Sequence, residues 1–249
     1  MPALLLGPTV AQAPAPGGSA PGSYWLSEGA RHLDREDPAR AWVAFQLAAA
    51  AGSEDPQCLV GLGRSHLMLG RSAFANRYAE AALAADPTDQ DGMTLCIRSM
   101  IRARAFDGAV RGAVRFQLDV EEPGSELLAA CGSALFRVQR IDAAADLYRR
   151  VVGLDPLHPE AHLRLGSGLL PPVRVAISHS LRSAVDAARA GRHRRAVTLL
   201  LGVVAEEPGN PIAHRLLGEV LFAQRQAHSM ATTDPAFIAL AEALPVIDV

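Results

Sequence analysis

The segment His158-Pro159-Glu160-Ala161-His162 contains the residues of this chain whose types and spacing come closest to those of a metal centre. In the helical HExxH pattern, two histidines bind zinc from one face and the glutamate acts on the metal-bound water. Here the glutamate lies one position too late, and Pro159 stands at a helix start, which leaves His158 outside the helix. We therefore interpret the segment as a polar helix entry and expect no metal, cofactor or catalytic residue in this chain.

The remaining candidates for chemistry are weak. There is no GxSxG motif and no GxxxxGK[ST] loop, and Gly166-Ser167-Gly168 is followed by apolar residues and prolines, which is wrong for a phosphate-binding loop. The three cysteines, Cys58, Cys96 and Cys131, are 38 and 35 residues apart and form no CxxC pair. Their odd number argues against a disulfide framework, so we interpret them as small buried packing residues.

A basic segment, Arg189 with Arg192-His193-Arg194-Arg195, is the strongest local concentration of positive charge. A nucleic-acid site would need interleaved aromatic residues or a fold that enters a groove, and neither is present. The net charge of the whole chain is −2, so nucleic acid is not an expected partner. We favour a solvated polar turn, with a protein-docking patch and contact with phosphate or anionic lipid as the alternatives.

Composition favours helices. Of the 249 residues, 49% are hydrophobic and only 5% aromatic, with Ala, Leu and Val dominant, a mixture that suits closely packed helices. Every basic residue is arginine, which is typical of a GC-rich genome. No run of 18 apolar residues occurs, so no membrane span is predicted. Residues 1–22 are interpreted as a disordered Ala/Pro/Gly-rich leader of a cytoplasmic protein, or, if residues 1–13 are a degenerate signal, of a periplasmic one.

An internal repeat organises the chain. Pro56, Pro87, Pro156 and Pro208 each follow an acidic residue or pair, and each closes a stretch of the same design. A helix with Gly or Ala about eight residues in leads to a short polar turn, and a second helix then begins near an Ala. Repeats of about 34 residues indicate helical hairpins that stack into a solenoid, because one hairpin cannot bury its apolar face alone.

The first hairpin shows the repeat positions most fully, with Trp25 and Gly29 on the first helix and Ala41 and Phe45 on the second. Corresponding positions in later copies hold Gly63, Ala75, Ala109, Gly132, Ala144, Tyr148, Gly166, Ala196 and Gly218. This pattern resembles the tetratricopeptide repeat. The resemblance covers about 180 residues and implies an all-α fold, a right-handed α-solenoid of helical hairpins interrupted at a double proline. Sel1-like hairpin repeats are the structural alternative.

The double proline, Pro171-Pro172, divides the chain, because proline disfavours helix at the preceding residue. The predicted parts are the leader (1–22), an array of about four hairpins with one capping helix (23–170) and a smaller repeat-like module (173–249). In that module we expect a first helix from 211 to about 226, a polar linker at 228–233 and a terminal helix at 235–244. The single first helices 159–170 and 211–226 should leave apolar faces that need cover.

The first helices also supply the candidate binding site. In tetratricopeptide proteins these helices line a concave groove that binds peptides or partner helices. Residues one and five places after the Gly position share that face, and they are the groove arginines Arg64, Arg98, Arg102 and Arg137. Gln57, Asp91 and Glu126 lie earlier in the same helices, at the rim. The alternative is that these arginines pair with Asp91, Glu126 or neighbouring acids and keep the groove soluble.

The sequence therefore predicts a non-enzymatic adaptor or assembly scaffold whose protein partner is a peptide or helix, acidic if the arginines bind it. One alternative is a self-assembling structural protein, a homo-oligomer formed through the ends of the solenoid. A second alternative is an accessory subunit of a secretion, polysaccharide-export or glycosyl-transfer complex.

Overall fold

A computed structural model describes residues 21–52, 55–169 and 178–230. This part of the chain consists of helices joined by short turns and contains no strand. The helices are α1 (Pro21–Asp34), α2 (Pro38–Ala50), α3 (Pro56–Met68), α4 (Ser72–Ala85), α5 (Gln90–Arg102), α6 (Phe106–Asp119), α7 (Ser125–Arg137), α8 (Ile141–Leu154), α9 (Pro159–Arg164) with a π-helical turn (Leu165–Leu169), α10 (His179–Arg189), α11 (His193–Glu206) and α12 (Pro211–Met230).

Local sequence signals set many helix starts. The carboxylates of Asp37, Asp55 and Asp89 each accept a backbone N–H of the first turn, as N-cap residues do. Proline begins α2, α3 and α9, where its missing N–H costs nothing. The hairpin of α7 and α8 has neither signal, so caps and prolines start some of the helices and the others depend on packing.

The turn inside each hairpin also has one geometry. One residue per turn adopts the left-handed backbone region: Glu36 (φ 55°), Gly70 (φ 77°), Arg104 (φ 61°), Gln139 (φ 61°) and Gly191 (φ 69°). A residue in this conformation ends a helix and lets the N–H groups that follow reach the last carbonyls. Only two of the five are glycine, so the repeat imposes this conformation even where the side chain disfavours it.

The hairpins α1–α2, α3–α4, α5–α6 and α7–α8 pack side by side, and first helices contact the next first helix along the chain. Large side chains fill the space that small residues leave. A Cβ on Gly29 would lie 2.7 Å from the Phe45 ring, and the same ring covers Gly61 of the next hairpin. In the fourth hairpin the Tyr148 ring lies against Gly132. The prediction of an all-α solenoid of stacked hairpins is confirmed.

The later helices form a core of their own, separate from the two clusters of the preceding hairpins. Leu181, Leu200 and Leu217 are its largest buried side chains, and its residues come from α10, α11 and α12. The core of the preceding hairpins ends at Leu165. The predicted leader up to residue 20, the double proline and the terminal helix at 235–244 lie outside the described residues.

Several predicted boundaries differ from the structure. α1 begins at Pro21, inside the predicted leader, because proline suits the first turn of a helix. α12 continues to Met230, so the start predicted for the linker at 228 was wrong; no Gly or Pro follows Gly218 before Pro235 to end the helix earlier. The first helix predicted at 159–170 is α-helical only to Arg164 and then widens into the π-helical turn.

The contact between α9 and α12 overturns one expectation. The two single first helices were predicted to leave apolar faces uncovered, but α12 packs against α9 and the π-helical turn. A Cβ on Gly218 would lie 2.7 Å from the Leu163 backbone nitrogen, and one on Gly166 would lie 2.6 Å from Arg215 Cα. Later residues on one helix thus face earlier residues on the other, so the helices run antiparallel. Each helix covers the other because glycine lets their backbones approach.

Candidate functional site

Polar side chains of four successive first helices, α3, α5, α7 and α9, meet on one surface, which we call the first-helix face. Its centre is Arg98 of α5. An Arg98 Nη2 atom donates to Glu126 Oε2 of α7 at 2.7 Å, and the same nitrogen lies 3.7 Å from Glu160 Oε2 of α9. These two contacts join α5 to α7 and to α9, so one arginine bridges three first helices.

Glu126 is strongly held in its ionised form. The hydrogen bond from the His158 ring and the nearby Arg98 and Arg64 guanidinium groups lower the pKa of its carboxyl to about 2, although partial burial acts in the opposite direction. Arg64 of α3 therefore acts on the same surface as Arg98, through its charge. The Glu126 carboxyl therefore stays charged over the physiological pH range.

The Glu160 carboxylate accepts a hydrogen bond from a chain of two hydroxyl groups that leads into the protein interior. The Ser133 hydroxyl donates to Glu160 Oε1 at 2.6 Å, and the Tyr148 hydroxyl lies 2.8 Å from Ser133 Oγ. The single hydroxyl hydrogen of Ser133 is already donated to Glu160 in a hydrogen bond, so the Tyr148 hydroxyl must donate to Ser133 Oγ. Burial raises the pKa of Tyr148 to about 12, so this phenol keeps its proton. A repeat position that fills space against Gly132 thus also orients a surface carboxylate.

Arg164 completes the cluster at the end of α9. Its guanidinium group lies 5.0 Å from the centre of the Phe136 ring, within the range of a cation–π contact. Its Nε atom is 3.8 Å from Glu160 Oε1. Two arginines therefore flank Glu160, one from α5 and one from its own helix.

The other predicted site residues do not join this cluster. Arg102 and Arg137 are exposed at the carboxy-terminal ends of α5 and α7, and neither forms an ion pair with a described residue. Gln57 and Asp91 are exposed in the first turns of α3 and α5, where their backbone N–H groups are bound by the N-cap carboxylates. The structure brings together Arg64, Arg98 and Glu126 of the seven predicted residues.

Sequence reasoning missed Glu160, Arg164 and Ser133. A signal for Glu160 was present, because it follows Glu126 by 34 residues, one repeat length. Its segment was instead compared with a metal motif and interpreted as a polar helix entry. His158 is indeed the N-cap of α9, accepting from the Ala161 N–H at 3.2 Å. His162, however, is fully buried, so for this residue the interpretation was wrong.

No cluster of three or more metal-ligating side chains occurs among the described residues. Within the same part of the chain, no helix is both long and apolar enough to cross a membrane.

The stacked antiparallel hairpins define a helical-repeat protein of the α-solenoid class. The family model for the tetratricopeptide repeat matches residues 131–169 and 181–228. These two segments therefore contain tetratricopeptide-like repeats, and the fold is that of solved tetratricopeptide-repeat proteins. Repeats of this family generally serve as scaffolds for protein–protein interaction. A comparison with curated protein sequences gave no match.

Solved structures share this fold at low sequence identity. The thermophilic TPR protein TTC0263 of Thermus thermophilus is 16% identical, and the alignment covers 81% of this chain and 99% of that one, with a TM-score of 0.57. PilF of Pseudomonas aeruginosa is 14% identical over 84% of this chain and 96% of its own, with a TM-score of 0.51. A chain of the APC/C hetero-tetramer Cut9-Hcn1 is 19% identical over 80% of this chain and 36% of its own, with a TM-score of 0.51.

Proposed function

We propose that this protein is a non-enzymatic adaptor or assembly scaffold that binds an extended segment or a helix of a protein partner on its first-helix face. The observation that carries the proposal is a set of arginines on α3, α5 and α7. Arg64 and Arg98 act on this face, where Arg98 holds two carboxylates, and Arg102 and Arg137 are exposed at the carboxy-terminal ends of their helices. Guanidinium groups bind carboxylates through two parallel hydrogen bonds. We therefore expect the partner segment to be acidic.

The pairing of Arg98 refines this expectation. Because its guanidinium is occupied by Glu126 and Glu160, an incoming carboxylate must displace one of them or bind elsewhere. The exposed Arg102 and Arg137 have no such intramolecular competitor among the described residues. We infer that Arg102 and Arg137 contribute most of the electrostatic attraction for the partner segment, while Arg98 holds Glu126 and Glu160 in place. Each exposed pair contributes less than about 1 kcal/mol, so affinity requires several pairs together with apolar contacts.

The test uses the native partner, captured from the source organism with the full chain and then purified. Changing Arg102 and Arg137 together to Ala should weaken binding and flatten its dependence on salt, and adding Arg98→Ala should weaken it further. The matched control is Arg111→Ala with Arg115→Ala, because these two arginines belong to a second helix, α6. If the groove variants bind as the parent does, the first-helix face is not the site.

A second candidate function is self-assembly, and the distribution of charge along the array favours it. The loops between hairpins, 84–91, 118–126 and 153–160, contain nine acidic residues and no arginine. The turns inside hairpins, 67–73, 101–107 and 136–142, contain five arginines and two aspartates. Since hairpins stack side by side, the loops form an acidic edge and the turns an opposite basic edge.

Both edges repeat with the spacing of the hairpins, so the basic edge of one copy can meet the acidic edge of another in register. Such contacts are heterologous and lead to rings or filaments. Light scattering should then report oligomers at low salt that dissociate at high salt. Reversing charge at Arg71, Arg104 and Arg140 to Glu should leave a monomer at low salt, and a monomeric parent would refute this candidate.

A further inference from the structure

The two helices that close the molecule, α9 and α12, begin with the same pattern, Pro-x-Ala-His followed by Gly four residues after the histidine. His162 and His214 are 52 residues apart, and the same offset relates the prolines, alanines and glycines of the two segments. Gly166 approaches Arg215, and Gly218 approaches Leu163, which are also equivalent positions. The contact is therefore a pseudo-two-fold one, built like an isologous dimer interface within a single chain.

The two histidines meet on this pseudo-two-fold axis. His162 Nδ1 lies 2.8 Å from His214 Nδ1, which is a hydrogen-bond distance. The opposite ring nitrogens also have partners of the same kind: His162 Nε2 lies 2.9 Å from the Pro156 carbonyl oxygen, and His214 Nε2 lies 3.0 Å from that of Pro208. The exposed fractions of the two residues are 0% and 2%, so the contact between the two rings is closed to water.

The number of protons in this arrangement can be counted. A carbonyl oxygen only accepts, so each Nε2 must carry a hydrogen to bond with its carbonyl. A neutral imidazole has one N–H, so both Nδ1 atoms would then be bare lone pairs facing each other at 2.8 Å. Three contacts require three hydrogens, and two neutral rings supply two. One added proton, between the Nδ1 atoms, satisfies all three contacts.

We propose that His162 and His214 form a buried binding site for a single proton, and that this shared proton holds α12 against α9. The proton thereby links the repeat array to the module formed by α10, α11 and α12.

The surroundings explain why the site holds one proton and not two. Asp155, after α8, attracts the charge on His162, while His158 at the start of α9 and His214 of α12 oppose it. Glu207, after α11, is bound by the Asn210 side chain at 2.8 Å. Burial is the largest effect: it lowers the pKa of His214, and for His162 it outweighs the Pro156 hydrogen bond, so that the pKa of that ring is lowered to about 4. The proposal requires that the bond between the two Nδ1 atoms, which forms only when the first proton is present, offset this cost; a second proton would add a buried charge and place two N–H groups head to head.

The proposal gives a definite pH dependence. A free imidazole has a pKa of about 6.5. The proposal requires the docked pair to bind its shared proton more tightly than a free imidazole does; this contribution to stability is then present below about pH 6.5 and is lost as the pH rises through the pKa of the pair. In more acid solution the separated rings bind two protons and the docked pair only one, so stability falls again as the pH falls toward about 4. Stability of the contact therefore has a maximum near about pH 6.5.

The direct test is ¹⁵N nuclear magnetic resonance of the histidine rings in the full chain. At about pH 6.5 the four ring nitrogens of His162 and His214 should carry three hydrogens, with the shared one distributed between the two Nδ1 atoms. Two hydrogens on the four nitrogens would overturn the proposal. Signals are assigned with the single variants His162→Gln and His214→Gln.

A second measurement remains informative if a variant is destabilised. Hydrogen exchange in α12 reports the opening of the contact in the parent. Above about pH 7 the opening equilibrium of the parent should increase by up to tenfold per pH unit, the value for release of one proton. His214→Gln retains a donor for the Pro208 carbonyl but cannot share a proton, so its opening should be independent of pH there. The control, His179→Gln, changes an exposed histidine of α10 and should behave as the parent. A parent whose opening is also constant above this pH would refute the proposal.

Discussion

The repeat array and the carboxy-terminal module differ in which helix covers the apolar face of a first helix. In α1 to α8, each first helix is covered by the helix that follows it in sequence. The first helix α9 is instead covered by α12, which follows after the hairpin of α10 and α11. The position beside a first helix therefore need not be filled by the next helix along the chain. It requires a helix of the right direction with small residues at the crossing.

The two kinds of contact also differ in what fills the space. In the array, the rings of Phe45 and Tyr148 lie against glycines of neighbouring helices. At the α9–α12 contact, glycine faces backbone: Gly166 faces Arg215, and Gly218 faces Leu163 and the Pro159 carbonyl. A side chain can move to another rotamer, but helical backbone cannot move without the whole helix. The α9–α12 contact should therefore tolerate added volume less well than the array.

The largest effect is expected at the closing contact. Gly166→Ala adds a Cβ that would lie 2.6 Å from Arg215 Cα, so α12 must move away from α9. We expect a loss of about 3 kcal/mol in the stability of the contact, at the upper end of overpacking effects. The control is Gly153→Ala in α8, where a Cβ meets nothing within 4 Å. This change should stabilise by up to about 1 kcal/mol, because alanine favours helix. Hydrogen exchange in α12 measures the difference, and equal protection in both variants would contradict the comparison.

Smaller losses are expected inside the array. Gly63→Leu meets the Leu95 side chain and Tyr78 Cβ, and Gly132→Leu meets the Tyr148 ring at 3.1 Å. Because these neighbours can shift, each variant should lose about 1–3 kcal/mol in the free energy of unfolding. Gly202→Leu in α11, where a Cβ meets nothing within 4 Å, is the control. Unchanged thermal stability in both array variants would contradict the interpretation of Gly63 and Gly132 as small-residue positions of the repeat.

The smallest effect concerns the charged face of the array. The pKa of Glu126 is lowered to about 2, chiefly by the hydrogen bond from His158 and then by Arg98. A lowered pKa gives stability that is present above the unfolded value of about 4.3 and lost as the pH falls toward about 2. Its side chain is 53% exposed, so solvent screens the effect to less than about 1 kcal/mol. For each protein, the change in free energy of unfolding is measured from its own value at neutral pH. On this scale the parent should lose stability at slightly higher pH than Glu126→Gln does.

Part of the candidate site follows from sequence alone, for a physical reason. The helix faces repeat with the hairpin, so residues at equivalent positions, such as Arg64 and Arg98, must share a surface. The same rule predicts that Glu160 lies beside Glu126. It does not predict that Arg98 pairs with both carboxylates, because pairing depends on side-chain conformations across three helices.

The repeat unit of this protein follows from local sequence, because turn positions and small residues recur and each acts within one hairpin or on the next. The cover of α9 by α12, which brings His162 Nδ1 to 2.8 Å from His214 Nδ1, arises instead from the packing of distant helices. Those residues are 52 positions apart, and no local signal specifies their meeting. It depends on the path of the intervening chain and on close backbone contact at two glycines, which exist only when both helices are already formed.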